Sequence, residues 1–300
     1  MNIIFFIPYY NNSHFIDLQI KSFRKYLVNC KWKICVVDDS KEETVNILSG
    51  MKENIYKKCL EYPDEIIYHK FDQSLHNSLH AGDKHCTILT YIMKHLSQSY
   101  VEDFDYLCLL DADMCFIEPF DVNIELDNYD IIGQKRIQWL SNIQISDSPI
   151  IEYIFVHNCF FNLKTITNLN MINLNRIPNT TCDTGSMIIE FLFNNPQYKI
   201  KYIGFSCGCE EIADFYSFEF LWNCKIIHYL SATMWRDLKR EFPYRDKLDI
   251  MSQIIDRGLN NYEKEIIHNT YINLWNPFSK KYNGIPVTRN DLIRYNLNIH

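Results

Sequence analysis

The sequence is poor in several features that define whole classes of protein. Its 300 residues include only 8 Gly and 9 Pro, and the net charge is -7, which excludes the collagen-like and the disordered classes. No apolar run approaches the ~18 residues that a membrane-spanning helix needs. The first ten residues, MNIIFFIPYY, have neither a basic segment nor a small-residue cleavage site. We therefore expect a cytoplasmic protein without a transmembrane segment.

The charge disfavours a nucleic-acid-binding protein, and the cysteine spacing disfavours a zinc-binding one. An isoelectric point near 5.8 argues against nucleic acid as a partner, although a local basic patch could still hold a small anion such as a diphosphate. The chain has 11 Cys, but no C-x-x-C pair with zinc-type spacing; the closest pair is Cys207 and Cys209. Most of these thiols lie in apolar runs, so we expect them to be buried and reduced.

Apolar residues are abundant, and their pattern predicts an α/β fold. With 47% hydrophobic and 15% aromatic residues, the chain can build one large core. Short apolar runs, typical of strands buried on both faces, alternate with segments of helical periodicity. We expect strands at 3–7 (ended by Pro8), 34–37, 65–71 and 106–110, and helices at 14–27, 42–60 and 83–98. Such alternation predicts βαβ units and a mostly parallel, mixed central sheet flanked by helices.

The alternation weakens beyond residue 125. We expect further strands at 131–133, 153–161, 198–203 and 225–229, and a helix at 184–194. Residues 237–275 look helical, with breaks at Pro243 and Gly258. The simplest organisation is a catalytic domain over residues 1–235 and a mainly helical extension over 236–300. That extension would pack on the domain and could form a homo-oligomer contact.

Acidic side chains follow two of the predicted strands. Asp38 and Asp39 end one apolar run, and Asp111 and Asp113 end another, in the segment LLDADM. The carboxyl ends of parallel strands share one edge of a sheet, where open α/β folds bind ligands. Carboxylate oxygens are preferred ligands of hard divalent cations. The sequence therefore predicts a Mn²⁺ or Mg²⁺ site at this edge, with ordinary turn-forming Asp residues as the alternative.

Three segments resemble, in order and spacing, the GT-A glycosyltransferases, especially the family-two type. They are IIFFIPYYN at 3–11, KICVVDDS at 33–40 and YLCLLDADM at 106–114. In that family the first strand ends near P-x-Y-N, the second in Asp-Asp and a later one in the D-x-D metal motif. The resemblance covers roughly residues 1–235. It implies a GT-A (Rossmann-like) fold and metal-dependent transfer from a nucleotide-diphosphate sugar to a glycan or another hydroxyl acceptor.

The same resemblance implies roles for individual residues. Nucleotide-sugar binding would fall to Pro8, Tyr10, Asn11, Asp39, Lys84, Asp111, Ala112, Asp113 and Arg236, and metal binding to Asp111, Asp113 and His228. Asp39 would accept a hydrogen bond from uracil N3–H, which favours a UDP-sugar. His80 and His85 are the alternatives to Lys84 as the group that reaches the nucleotide. His228, at the end of an apolar strand, would be the third metal ligand.

The acid–base group is left open between three carboxylates. Asp183, in CDTGSMIIEFL, lies where the family has an E-D pair at a helix start, but here Thr-Gly follows it and no Glu precedes it. It could take the proton from an acceptor hydroxyl in an inverting reaction, or it could cap a helix. Glu210 and Glu211 are the competing candidates. A non-catalytic nucleotide- or sugar-binding module is the alternative function, and a nucleotidyltransferase is disfavoured because PYYNNSH lacks a Gly-rich, basic phosphate loop.

Overall fold

The computed structural model describes residues 1–10, 12–40, 54–76, 81–139, 150–178, 180, 182–203, 207–209, 218–229 and 244–270. The described strands are β1 (Asn2–Tyr9), β2 (Leu27–Val28), β3 (Lys31–Asp38), β4 (Ile66–Lys70), β5 (Tyr106–Leu110), β6 (Met114–Phe116), β7 (Phe120–Asp121), β8 (Ile131–Trp139), β9 (Ile150–Asn162), β10 (Ile200–Ile203), β11 (Cys207–Cys209), β12 (Phe218–Leu221) and β13 (Ile226–His228). The described helices are α1 (His14–Tyr26), α2 (Ile55–Cys59), α3 (Ala81–Tyr91), α4 (Val122–Glu125), α5 (Ile188–Asn194), α6 (Tyr244–Arg257) and α7 (Asn261–Thr270).

The largest sheet has seven strands in the order β10-β8-β9-β5-β1-β3-β4. Six of them run parallel, and β9 alone runs antiparallel to its neighbours β5 and β8. On β1, Ile3 and Phe5 face one buried apolar cluster while Ile4 and Phe6 face the other, which explains the unbroken apolar run in the sequence. The predicted α/β class with a mostly parallel mixed sheet is confirmed.

A second, smaller sheet lies beside the carboxyl end of β5. Its four strands, in the order β11-β12-β13-β6, pair antiparallel. The chain leaves β5 at Leu110, makes a turn through residues 111–113 and enters β6 at Met114. That turn therefore connects the two sheets, and the pairing of β6 with β13 places His228 opposite Met114.

The prediction that Pro8 ends the first strand is wrong, since β1 continues to Tyr9. β1 pairs with β5 only as far as Phe6, but with β3 as far as Tyr9. The carbonyl of Tyr9 accepts from Asp39 N–H on the β3 side, so the nitrogen of Pro8 faces the β5 side, where pairing has already ended. Proline is tolerated in a strand at such a position because no ladder hydrogen bond is lost.

Three predicted helices differ from those observed. The segment predicted at 83–98 is α-helical to Tyr91 and then continues as a π-turn and a 3-10 turn. The helix predicted at 184–194 begins only at Ile188, because Gly185 has a φ of +80°, which is incompatible with a right-handed helix. Of the helix predicted at 42–60, α2 covers Ile55–Cys59, and residues 41–53 lie outside the described residues.

The described helices of the C-terminal extension pack on the rest of the chain. Ile255 of α6 belongs to the same buried cluster as β1 and α1, and Tyr26 Oη donates to its carbonyl at 2.8 Å. The predicted break at Gly258 is confirmed, with a φ of +73° between α6 and α7; Pro243 lies outside the described residues. None of the described helices is both long and apolar enough to cross a membrane.

The nine cysteines that the structure describes with their side chains are all free thiols. Eight of them are buried and one, Cys30, is partly exposed. Burial raises the pKa of Cys35 to about 12 and that of Cys59 to about 12, so these thiols stay protonated and unreactive. The prediction of buried, unpaired thiols is confirmed for the described cysteines.

Candidate metal and nucleotide site

The turn between the two sheets presents Asp111 and Asp113 at the carboxyl edge of β5. Its backbone is held by Gln19 of α1, a fully buried side chain whose Nε2 donates to the carbonyls of Asp111 (3.0 Å) and Met114 (3.1 Å). The hydroxyl of Tyr9 donates to the other end of the same amide. Both polar atoms of the Gln19 amide are thereby hydrogen-bonded, through three bonds in all, and they fix the backbone of the turn.

Asp113 lies against His228, which the pairing of β6 with β13 delivers. His228 Nε2 is 3.2 Å from Asp113 Oδ1, and its Nδ1 is 3.0 Å from Glu219 Oε2 on β12. Burial alone lowers the pKa of His228, but the charges and hydrogen bonds of Asp113 and Glu219 raise it to about 10. The ring is thus fixed in orientation between two carboxylates.

Asp111, Asp113 and His228 together fit a divalent cation. One ligand atom from each can be chosen so that all three atoms lie within 4.8 Å of one another. The bond from His228 Nδ1 to Glu219 holds the ring with Nε2 toward the aspartates, the arrangement in which a carboxylate orients a metal-binding histidine. This donor set, of two carboxylates and one imidazole, suits Mn²⁺ and accepts Mg²⁺ through its oxygens.

Two more histidines contact the carboxylate of Asp111. His157 Nδ1 of β9 lies 2.8 Å from the Asp111 carboxylate, and His85 Nε2 of α3 lies 3.3 Å from Oδ1. Burial alone raises the pKa of Asp111, but His157 and His85 hold it well below its usual range. Burial alone lowers the pKa of His85, whereas Asp111 foremost, then Asp113 and Asp183, raise it above its usual value.

Asp39 lies at the same edge of the sheet, after β3. Its Oδ1 is 2.7 Å from His76 Nε2, and its N–H donates to Tyr9 at 2.9 Å. Because β3 and β5 lie on either side of β1, the ends that carry Asp39 and Asp111 are about 10 Å apart, twice the spacing of neighbouring strands. That span suits a ligand of nucleoside size.

The neighbouring Asp38 has a different, structural environment. Its carboxylate accepts hydrogen bonds from Ser40 N–H and Tyr68 Oη, both at 2.8 Å, and pairs with Lys70 at 3.1 Å. These contacts fix the chain where β3 ends. Asp38 therefore shapes the turn, whereas the carboxylate of Asp39 contacts His76.

Asp183 is neither a helix cap nor a buried group. The residue that precedes α5 is Met187, which makes no side-chain cap, so the cap alternative is wrong. The Asp183 carboxylate lies 3.3 Å from Arg136 of β8 and is 42% exposed. Its own N–H donates to Gln138 Oε1 at 2.8 Å. Its negative charge makes a minor contribution to the raised pKa of His85.

The remaining predicted residues are placed in part. Pro8 lies within β1, Tyr10 directly after it, Ala112 in the turn between the two aspartates, and Lys84 half-buried on α3 beside His85. Five predictions fall outside the described residues, namely Asn11, His80, Glu210, Glu211 and Arg236. Of the predicted residues, the structure brings Asp111, Asp113 and His228 together, whereas Asp39 pairs with His76 and Asp183 with Arg136.

Four residues that sequence reasoning missed complete the site. His157, Glu219, Gln19 and Arg136 each contact a predicted site residue. No motif marks them, because each meets its partner through a strand or helix distant in sequence. The sequence offered one indication of His157 and Glu219, which is that each lies within an apolar strand. A His or Glu is uncommon at such a position and is usually buried beside a charged partner.

Comparison with known proteins identifies neither a family nor a function for this chain. No protein-family model matches this chain, and a search of curated proteins finds no significant match.

Proposed function

We propose that this protein is a metal-dependent glycosyltransferase of the GT-A fold that uses a nucleotide-diphosphate sugar. One observation carries the proposal: Asp111, Asp113 and His228 come together at the carboxyl edge of the parallel sheet, beside the edge position of Asp39. A cation site next to a nucleoside-sized rim is what recognition of a nucleoside diphosphate requires. The resemblance of the three sequence segments to GT-A enzymes points to the same activity.

The donor would lie along this rim from Asp39 to the cation site. Asp39, held by His76, would accept a hydrogen bond from the base, and an acceptor carboxylate there favours uracil and hence a UDP-sugar. Asp111, Asp113 and His228 would hold Mn²⁺ or Mg²⁺ against the diphosphate. When bound, the ion would offset the negative charge of the departing nucleoside diphosphate, a task to which Lys84 and Arg236 would contribute.

Asp183 is the carboxylate proposed to take the proton from the acceptor hydroxyl. Its side chain is exposed enough to meet an acceptor, and its charge contributes to the raised pKa of His85, the histidine that contacts Asp111. Transfer of the hydroxyl proton to Asp183 would let that oxygen attack the anomeric carbon as the bond to the diphosphate breaks, which inverts the configuration. Glu210 and Glu211 remain the competing bases, and self-association through the helical extension remains part of the proposal.

The contact between Asp183 and Arg136, at 3.3 Å, favours a second candidate function. Arg136 already donates a hydrogen bond to Asp183 Oδ2 and would compete there with an acceptor hydroxyl. A chain whose base is tied up in this way could bind a nucleotide sugar without transferring it. The second candidate is therefore a non-catalytic nucleotide- or sugar-binding module on the same fold.

A thermal-shift panel tests the donor site. UDP-, GDP- and dTDP-sugars are each added with and without Mn²⁺, since a ligand that binds only the folded state raises the Tm. We expect one nucleotide class, with UDP favoured, to raise the Tm only when Mn²⁺ is present. The Asp113→Asn variant should lose this response, and the control Asp103→Asn, at an exposed position, should keep it. A panel without any Mn²⁺-dependent shift contradicts both candidate functions.

Release of the nucleoside diphosphate separates the two candidates. A transferase releases it from the donor in the presence of an acceptor or, slowly, of water, whereas a binding module leaves the donor intact. We expect release that EDTA abolishes and Mn²⁺ restores. Binding of the donor without any release would favour the binding module.

A further inference from the structure

His85 and His157 form a histidine pair that the proposed donor site does not use. Their rings stack with centroids 5.0 Å apart and an angle of 15° between the planes. Both present a nitrogen to the same carboxylate, that of Asp111. The two histidines come from different elements, α3 and β9, so the convergence is a property of the fold rather than of a local turn.

Each histidine is held in place by its own element. The His157 carbonyl accepts from Asp111 N–H at 3.1 Å, which ties β9 to the turn directly at the carboxylate. On α3, the buried residues Cys86 and Leu89 anchor the helix against the core. The His157 side chain is only 11% exposed. The nitrogens are therefore positioned before any ligand arrives.

A hydrogen bond to Asp111 explains the position of one histidine of the pair but not that of the other. His157 Nδ1 makes a hydrogen bond to Asp111 at 2.8 Å. His85 Nε2 lies 3.3 Å from Oδ1 of the same residue without hydrogen-bond geometry, and this buried atom has no hydrogen-bond partner among the described residues. A buried nitrogen left in this way has a cost unless something else binds it.

A metal ion bound by both histidines and Asp111 would explain the positions of both rings. His85, Asp111 and His157 can each offer one ligand atom such that the three atoms lie within 4.8 Å of one another. Ligands about 2.1 Å from a tetrahedral ion stand roughly 3.4 Å from each other, so nitrogen–oxygen distances of 2.8 and 3.3 Å need only small adjustments. Two imidazoles with one carboxylate form a donor set typical of transition metals and leave coordination positions open for a further ligand.

We propose that His85, Asp111 and His157 form a second metal site, specific for a divalent transition metal such as Zn²⁺, Co²⁺ or Mn²⁺. Asp111 belongs to this set and also to the set with Asp113 and His228, so its carboxylate would bridge two ions. The second site is richer in nitrogen than the first and therefore selects against Mg²⁺. The proposal concerns metal binding alone and does not rest on transfer of a sugar.

Metal counting tests the proposal on the full chain after removal of metal with a chelator. In a calorimetric titration with Zn²⁺, the wild type should bind one equivalent more than the double variant His85→Ala/His157→Ala. His228→Ala should retain the equivalent bound by His85 and His157, and Asp111→Asn should weaken both. The control His95→Ala removes an exposed histidine and should bind as the wild type does. Equal stoichiometry in the wild type and the double variant overturns the proposal.

A spectroscopic readout distinguishes this site from a merely structural pair. Co²⁺ bound by two imidazoles gives visible d–d absorption that a hydrogen-bonded histidine pair cannot give. We expect this absorption to fall in His85→Gln, which preserves much of the side-chain volume should the double alanine variant fail to fold. Unchanged Co²⁺ absorption in a folded His85→Gln protein also overturns the proposal. A missing donor response in the thermal-shift panel would leave the metal count unaffected, so the two failures are distinguishable.

Discussion

His228 Nε2 and Asp113 Oδ1 lie 3.2 Å apart, although the two residues are far apart in the sequence. The contact arises because β13 pairs with β6, the strand that starts immediately after Asp113. A backbone bond from Tyr229 N–H to the Asp113 carbonyl at 2.9 Å fixes the same register. The geometry of the candidate cation site is thus set by strand pairing, and four predictions test its parts and its surroundings.

Glu219→Gln should weaken metal binding without removing a ligand. The carboxylate of Glu219 accepts a hydrogen bond from His228 Nδ1, which orients Nε2 toward Asp113 and the proposed cation position. Loss of such an orienting carboxylate costs about 10- to 100-fold in metal affinity, measured as the Kd for Mn²⁺ by calorimetry. Glu102→Gln, at an exposed position, is the matched control. An unchanged Kd would mean that the charge of Glu219 does not support metal binding by His228.

Asp183→Asn should slow transfer strongly but leave donor binding intact. The substitution removes the proton acceptor, whose contribution as a general base is about 10²- to 10⁴-fold in rate, whereas Asp111 and Asp113 still bind the cation. The measurement is the rate of nucleoside diphosphate release at saturating donor, together with the Mn²⁺-dependent Tm shift. Arg136→Lys, which keeps a cation near Asp183, is the comparison. If Asp183→Asn retains the full rate, the base must be sought at Glu210 or Glu211.

Gln19→Leu should destabilise the protein and loosen the cation site together. The substitution introduces an apolar side chain of similar size and leaves Tyr9 Oη and two carbonyl oxygens without the amide. Leaving buried polar groups unsatisfied costs about 1–3 kcal/mol each. We expect the free energy of unfolding in urea to fall by a few kcal/mol and the affinity for Mn²⁺ to fall as well. A stability loss with wild-type Mn²⁺ affinity would show that the turn keeps its geometry without Gln19.

The contribution of Glu263 to stability should disappear in acid. Its bonds to Arg257, at 2.7 and 2.5 Å, outweigh burial and hold the pKa of Glu263 below its usual value. For a carboxyl with a depressed pKa, the stabilisation is present above the unfolded-state pKa near 4.5 and is lost as the pH falls.

Glu263→Gln isolates this charge effect. Glutamine can still form the reciprocal cap with Asn260, whose side chain accepts from the N–H of residue 263 at 2.9 Å. Because Arg257 is 47% exposed, solvent screening limits the expected loss at neutral pH to about 0.3–1 kcal/mol. The measurement is the free energy of unfolding of both proteins from neutral pH to about pH 3. The difference should shrink toward zero in acid, and a constant difference would contradict the charge effect.

The parts of the fold that sequence predicted are those encoded locally. The strand at 106–110 and its two terminal aspartates follow from an apolar run and the residues directly after it, and β5 has those bounds. The last strand was predicted to within a few residues, and His228 ends it. Such features depend on periodicity within a window of a few residues.

The parts that sequence missed depend on pairing between distant segments. His157 meets Asp111 because Leu110 of β5 pairs with Asn158 of β9, and Glu219 meets His228 through the register of β12 and β13. Strand register is decided by burial and by neighbouring turns, which a single sequence does not display. Short strands such as β6, with three residues, also fall below the length at which alternation can be recognised.

The turn that carries Asp111 and Asp113 joins β5 of the large sheet directly to β6 of the small sheet. A cation bound by Asp111, Asp113 and His228 would link the two sheets. Its binding free energy would then add to the stability of both. Amide protons in β5 and in β13 would then exchange more slowly by a common factor once the metal is bound. With the metal bound, the two sheets would unfold locally as one cooperative unit instead of separately.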